Sequence, residues 1–218
     1  MAGMVHAGQK YVLNVGEFNE LSVVDPLNVD YVCSADSAGM VAFTCDPSVA
    51  SSLMFNLKGS KLNVRIASEE AMATKFPRIT VYSRYLTKVE NKGDSTVRVI
   101  KVAETPKFEA VVEGNGTLVV RHIDAVDIKA GMRLGHGMVV ISGACSQLNV
   151  AFTGTGVIQA DDLKATEVSV KANGTGSVGV WAEKFLKVYG MGSTTLYYKG
   201  HPEIKTRSLG IKLIPLAQ

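Results

Sequence analysis

Glycine-X-glycine tripeptides recur through the second half of the chain at a nearly constant interval. They occupy residues 114–116, 135–137, 154–156, 174–176 and 190–192, and their first glycines lie 21, 19, 20 and 16 residues apart. Gly93 extends the series 21 residues upstream, and Gly210 extends it 20 residues downstream. A period of this length is typical of repeat architectures, in which each unit is one small supersecondary structure.

Apolar residues keep a fixed distance from the first glycine of each unit. Four places after it stand Val97, Leu118, Val139, Ile158 and Val178, and six places after it stand Val99, Val120, Ile141, Ala160 and Val180. This two-residue spacing predicts a β-strand after each glycine corner. The corner requires a positive φ or a close approach of two backbones, and both favour glycine. We predict that the two apolar sets form neighbouring columns in the core.

Each unit is too short to fold alone. A unit of about 20 residues cannot bury the apolar side of its own strands, so successive units must stack on one another. The sequence therefore predicts an all-β fold, a parallel single-stranded β-helix (β-solenoid), right-handed, with coils of about 20 residues. An antiparallel β-sandwich also has short strands separated by turns. It does not explain why the same positions are apolar in unit after unit.

The first third of the chain shows strand patterns with a less regular punctuation. We predict that residues 1–75 form a β-rich segment that caps the first coil, because the open strand edge of a solenoid has to be covered. Residues 76–218 are predicted to form the repeats, within one continuous domain. In the cap, residues 29–33 and 41–45 are predicted to form a hairpin, and residues 48–57 a helix with Leu53 and Leu57 on one side.

Composition and charge argue against several functions. The formal net charge is +3, and Lys and Arg are scattered among Asp and Glu, so no basic stripe supports nucleic-acid binding. No apolar run approaches the roughly 18 residues of a membrane span. The start of the chain lacks signal-peptide features, which fits a cytoplasmic protein or an exported one whose signal peptide has been removed. Cys33, Cys45 and Cys145 fit small buried side chains better than a disulfide.

The polar residues of the repeats do not form a catalytic pattern. A glycosidase needs two carboxyl groups roughly 5–10 Å apart, which in a solenoid means matching positions on adjacent coils. The position of Asp161 is filled by Ser142 and Trp181 in the adjacent units, and no acidic column forms from the other carboxylates, which are Asp124, Asp127, Asp162, Glu167 and Glu183. The four histidines are dispersed without metal-ligand spacing. We therefore predict no catalytic residue, metal or cofactor.

One outward-facing position carries aromatic residues. Seven places after each first glycine stand Ile100, Arg121, Ser142, Asp161, Trp181 and Tyr197, and Trp181 is the only tryptophan of the chain. Because adjacent coils lie about 4.8 Å apart, we expect the Trp181 and Tyr197 rings to stand side by side. With Asp161 and Tyr198 they form the candidate binding surface, suited to stacking on a sugar or anchoring a protein. Alternatively, the aromatic pair only shields a strand edge.

The repeats and the end of the chain resemble a known family. The glycine tripeptides at 114–116, 154–156 and 174–176, the Leu-Tyr-Tyr-Lys-Gly-His-Pro run at 196–202, and the strands at 18–24 and 61–66 are similar to the auto-transporter adhesin head, or GIN, domain. The resemblance covers residues 10–215. It implies an exported cell-envelope β-helix protein of Bacteroidetes-type bacteria, with adhesion inferred and no established enzymatic activity. The chain departs from the pattern at Gly210, which lacks a second glycine, and at its start, which lacks an export signal.

The leading hypothesis is a non-enzymatic surface or cell-envelope interaction protein, a candidate adhesin, that binds a glycan or a protein. A carbohydrate-active β-helix enzyme of the pectin-lyase type is an alternative, because parallel β-helices include polysaccharide lyases and hydrolases. A lipid or small-ligand carrier, with a pocket between the cap and the coils, is a third hypothesis. The sequence leaves the oligomeric state open, including a homo-oligomer.

Overall fold

A computed structural model describes residues 8–67 and 75–217, which form a parallel β-solenoid. The predicted fold class is confirmed. No helix in this part of the chain is long and apolar enough to cross a membrane. The elements in chain order are β1 (Gln9–Asn14), β2 (Glu20–Val23), β3 (Val29–Cys33), β4 (Met40–Cys45), α1 (Pro47–Ala50), β5 (Leu53–Lys58), β6 (Lys61–Ile66), β7 (Ile79–Ser83), β8 (Lys88–Asn91), β9 (Thr96–Lys101), β10 (Thr105–Glu113), β11 (Thr117–Arg133), β12 (Met138–Thr153), β13 (Thr155–Ala172), β14 (Thr175–Met191), β15 (Thr194–Lys199), β16 (Glu203–Leu209) and β17 (Lys212–Pro215).

The core is built from columns of apolar side chains that run along the solenoid. Strands β10 to β15 pair in parallel, each with the next. In the first predicted column each residue pairs with the next one in the adjacent coil, and all five are fully buried: Val97, Leu118, Val139, Ile158 and Val178. The second is also buried, with a register shift between Ile141 and Ala160: Val99, Val120, Ile141, Ala160 and Val180. Both predicted columns are confirmed as core.

The corner glycines form columns of their own. A Cβ added to Gly174 would overlap the carbonyl oxygen of Gly154 in the preceding coil, and a Cβ added to Gly176 would overlap that of Gly156. Gly176 also has φ +141°, a conformation that residues with a side chain rarely adopt. The glycines therefore recur because the backbones of consecutive coils come too close at each corner to leave room for a side chain.

The last repeat is displaced by two residues from the count of first glycines. Gly192, not Gly190, lies next to the carbonyl group of Gly174. Accordingly, Val178 pairs with Leu196, which stands four places after Gly192. The displacement changes which residues become neighbours on the outer surface of this coil.

The N-terminal coils are stacked in an order that differs from the chain order. Strand β2 lies between β6 and β8, and β3 lies between β7 and β9, with all four pairings parallel. The first coil of the chain therefore lies inside the stack. The end of the solenoid is covered by antiparallel strands, since β5 pairs with β6 and β4 with β7 and β1.

Two local predictions for this segment are wrong. The predicted hairpin of residues 29–33 with 41–45 is absent, because β7 lies between β3 and β4. The helix predicted over 48–57 is restricted to α1, and β5 takes the rest. Leu53 and Leu57 are four residues apart, which fits a strand as well as a helix. In β5 they face the same side, opposite Ile66 and Leu62 of β6.

Two ion-pair networks connect the intercalated coils. The carboxylate of Asp30 on β3 accepts hydrogen bonds from Arg98 Nε (2.7 Å) and Nη2 (2.6 Å) on β9 and from Arg78 Nη1 (2.9 Å), which precedes β7. Glu90 on β8 contacts Lys61 on β6 (2.5 Å), across β2, and Lys88 (3.0 Å). Burial alone would raise the pKa of each carboxyl group. The hydrogen bonds and charges of these basic partners outweigh it, so the pKa values of Asp30 and Glu90 are lowered.

These networks predict a loss of stability in acid. A carboxyl group with a lower pKa in the folded state stabilises the fold at pH values above its unfolded pKa, about 4. That contribution disappears as the pH falls through the folded pKa. We expect the melting temperature to change little between about pH 7 and 5 and to fall steeply below pH 4.

An Asp30→Asn variant tests the source of this acid sensitivity. It should be less stable at pH 7, by about 1–3 kcal/mol, because it loses charged hydrogen bonds, and its melting temperature should fall less between pH 5 and 3. The exposed Asp36 supplies the control Asp36→Asn, which should follow the parent at every pH. An Asp30→Asn variant with the full acid sensitivity of the parent would contradict this assignment.

Candidate functional site

One outward-facing column of the solenoid carries the only tryptophan. Asp124, Ala144, Lys164, Trp181 and Lys199 pair in consecutive coils from β11 to β15. Trp181 follows the buried Val180 on β14, and the alternation of a strand therefore turns its side chain outward, where it is half-buried. The predicted outward orientation of Trp181 agrees with this burial pattern.

Two lysine side chains flank the Trp181 ring. The ammonium nitrogen of Lys164, from the preceding coil, lies 5.9 Å from the ring centroid, and that of Lys199, from the following coil, lies 5.8 Å from it. A cation at this distance is attracted to the electron-rich face of an indole, by about 0.5–1 kcal/mol at an exposed site. The two lysines therefore hold the ring in place and bring positive charge next to it.

Carboxylates fix the positions of both lysines. Lys199 Nζ lies 3.1 Å from Asp162 Oδ1 and 3.4 Å from Asp161 Oδ2, and Lys164 Nζ lies 2.8 Å from Glu183 Oε1. The hydrogen bond to Asp162 raises the pKa of Lys199, burial opposes this effect, and the charge of Asp161 adds to it. We call this group the Trp181 cluster, which consists of Asp161, Asp162, Lys164, Trp181, Glu183 and Lys199.

The expected aromatic pair is not formed. Tyr197 pairs with Gly179 on β14 and with Ile214 on β17, whereas Trp181 pairs with Lys199. The prediction of side-by-side rings is wrong because the last repeat is displaced by two residues, which moves Tyr197 along the strand. Asp161 does lie in the cluster, through Lys199.

Tyr198 has a different position from the one expected for a binding residue. It pairs with the buried Val180, and its side chain packs against the core, partly buried. Lys164 and Lys199 were not found from the sequence, because they become neighbours of Trp181 only through the register of three coils. The signal in the sequence was the opposite charge of Asp161 and Asp162 in β13 and Lys199 in β15.

The cluster offers binding groups rather than free acids or bases. Asp161 and Asp162 are both engaged with Lys199, and Glu183 with Lys164. Among residues 8–67 and 75–217, no group of three or more His, Cys, Asp or Glu side chains is placed to hold a metal ion. What remains available to a partner is the exposed part of an indole ring, with ammonium and carboxylate groups around it.

Comparison with known proteins identifies the family. Residues 17–202 match the family described as "Putative auto-transporter adhesin, head GIN domain". The chain belongs to this family. The resemblance predicted from the glycine tripeptides and the 196–202 run is therefore confirmed. No curated protein matches the sequence.

Three solved structures share the fold of this GIN domain. A "putative adhesin" from Bacteroides fragilis is 21% identical over 95% of each chain, with a TM-score of 0.84. A "putative adhesin" from Parabacteroides merdae is 16% identical and a "Putative lipid binding protein" from Parabacteroides distasonis is 18% identical, each over 98% of both chains and with a TM-score of 0.71. At these identities the likeness concerns the fold.

Proposed function

We propose that this GIN domain is a non-enzymatic interaction protein, exported to the cell envelope or cell surface, that binds a glycan or a protein through the Trp181 cluster. The description of the family supports a role as an adhesin, and the description of the Bacteroides fragilis structure supports the same role. The observation that carries the proposal is the half-buried Trp181, which lies between Lys164 and Lys199 of the adjacent coils.

The chemistry of the cluster suits recognition. A tryptophan presents a large apolar surface at low conformational-entropy cost, and such residues often supply most of the energy of an interface. Lys164 and Lys199 place hydrogen-bond donors at the ring, and Asp161, Asp162 and Glu183 place acceptors near them. A sugar with several hydroxyl groups or a protein loop can bond to these groups while it covers the indole.

Binding is favoured over catalysis because of how the carboxylates are used. An acid–base pair has to reach the substrate with both carboxyl groups, whereas those of the Trp181 cluster neutralise its two lysines. The pectin-lyase-type alternative has no comparable group of side chains to support it in the described part of the chain.

A Trp181→Ala variant tests the proposed site. The parent protein would be screened on glycan and protein arrays, and its partner then measured against the variant by biolayer interferometry. We expect Trp181→Ala to weaken binding by about 30-fold or more, as for other aromatic hot spots. Its unfolding free energy should change by less than about 1 kcal/mol, because the side chain lies outside the core columns.

The matched control is Tyr189→Ala. Tyr189 is an exposed aromatic residue, 39% accessible, on the same strand but on another side of the coil, next to Lys171 and Arg207. This variant should bind like the parent. Equal binding by parent and Trp181→Ala would reject the site, and an absence of partners on both arrays would argue against the interaction role itself.

A further inference from the structure

A groove runs along the solenoid on the side that also carries Trp181, but nearer the N-terminal end. It consists of two adjoining hollows of about 420 Å³ and 490 Å³ that share the wall formed by Glu104, Thr105 and Pro106. One hollow extends to Ser146 in β12, and the other extends to Ser60, just before β6. One hollow lies between the predicted cap and the coils, where a lipid or small-ligand pocket is the third hypothesis drawn from the sequence.

The groove spans six consecutive coils. Asn19 and Thr87 are connected to their preceding coils by backbone hydrogen bonds, from Asn19 N to Ser60 O and from Thr87 N to Asn19 O. Further along, Thr105, Ala125 and Cys145 pair in consecutive coils. Five intervals of about 4.8 Å give a length of about 24 Å, which corresponds to about seven residues of extended peptide.

Small side chains form the floor of one hollow. Thr105, Ala125 and Cys145 are each 7–9% accessible at the floor, whereas Ala165 and Ala182, which continue the same column, are fully buried. Large apolar groups stand at the rim, since Tyr85 is 60% and Val126 is 59% accessible. The groove therefore offers an apolar but open surface, unlike the enclosed cavities that bury most of a small ligand.

Carboxylates line the rim. Glu17 and Glu104 border one hollow, and Glu104 and Asp124 border the other. Across residues 8–67 and 75–217, neither Glu104 nor Asp124 forms an ion pair. Burial raises the pKa of the Cys145 thiol to about 12, and the charges of Asp127 and Asp124 add to this effect. Because Glu17, Glu104 and Asp124 line the two hollows and no Lys or Arg in the described part of the chain does, the groove is complementary to a cation.

We propose that this groove binds an extended peptide segment of about seven residues in which basic and apolar side chains alternate. In such a segment the apolar side chains face the floor and the basic ones reach Glu17, Glu104 and Asp124 at the rim. An acyl chain fits less well, because the groove is open to water and its carboxylates repel an anionic headgroup. The proposal does not depend on binding at Trp181.

Fluorescence anisotropy with a labelled peptide tests this inference on the whole protein. The probe is Lys-Val-Lys-Val-Lys-Val-Lys, and the comparison peptides are its Glu-for-Lys and Ser-for-Val counterparts. We expect saturable binding of the first peptide only, and at least about tenfold weaker binding to a Glu104→Lys/Asp124→Lys variant. An Asp36→Lys/Asp46→Lys variant has the same net charge at exposed sites outside the groove and should bind like the parent.

Several outcomes would overturn the proposal. Equal binding of the Lys/Ser peptide would show only general charge attraction, and an unaffected Glu104→Lys/Asp124→Lys variant would place the peptide elsewhere. Binding of lauric acid that is lost in a Val126→Glu variant, without binding of the peptide, would make the occupant an acyl chain. Trp181→Ala should leave peptide binding unchanged, which separates this test from that of the proposed function.

Discussion

An Ile158→Asp variant is expected to be unfolded at neutral pH. Ile158 is completely buried in the first core column, between Val139 and Val178 of the adjacent coils. An unpaired carboxylate in such a place costs several kcal/mol, and a domain has only about 5–15 kcal/mol of stability in total. Because each coil stacks on the next, a defect in the middle of the column removes support on both sides.

Circular dichroism and thermal unfolding measure this effect, with the adjacent residue as the control. Gln159 follows Ile158 on β13 but faces outward and is exposed. Gln159→Asp should keep the β-sheet spectrum and melt within a few degrees of the parent, because exposed substitutions rarely exceed about 0.5 kcal/mol. An Ile158→Asp protein that melts like the parent would refute the core register.

Replacing Gly174 with Ala is expected to destabilise the domain more than an ordinary glycine substitution. The added methyl group would overlap the Gly154 carbonyl oxygen, and it would also come within 3.1 Å of Phe152 Cε1. Relief requires the two coils to move apart at this corner, which weakens the hydrogen bonds between them. We expect a loss of about 2–4 kcal/mol, in the range of overpacked cores and strained backbones.

Gly131 provides the contrasting substitution. A methyl group there would meet only the side chain of Val111, at 3.4 Å, and the Ala110 oxygen at 3.9 Å, which are ordinary contacts. Gly131→Ala should be neutral or stabilising by up to about 1 kcal/mol, since it reduces the freedom of the unfolded chain. Urea unfolding gives the free energy of unfolding of both variants. Equal values for Gly174→Ala and Gly131→Ala would contradict the proposed close contact of the glycine columns.

The coils from β8 onward could be predicted because local pattern and fold agree there. The spacing of Leu118, Val139 and Ile158 from a corner glycine is the same in each unit, and that spacing alone places them in one column. The N-terminal stacking could not be predicted in this way. The pairing of β2 with both β6 and β8 brings together residues that are far apart in the sequence, such as Lys61 and Glu90. No local repeat in the sequence indicates such a pairing.

The candidate site could be predicted only in part. The uniqueness of Trp181 and its distance from Gly174 were enough to place it outside the core. Its neighbours depend on the displacement of one repeat, since the glycine that matches Gly174 is Gly192 and not Gly190. That two-residue difference replaces the expected Tyr197 with Lys199.

The emission of Trp181 tests the proposed function most directly. Trp181 is the only tryptophan, so selectively excited indole fluorescence reports on the proposed site alone. When the partner found on the arrays is added, we predict a saturable shift of the emission to shorter wavelength, with the same Kd as the binding measurement, because the ring becomes shielded from water. A partner that binds tightly while the emission of Trp181 stays unchanged would contradict the account.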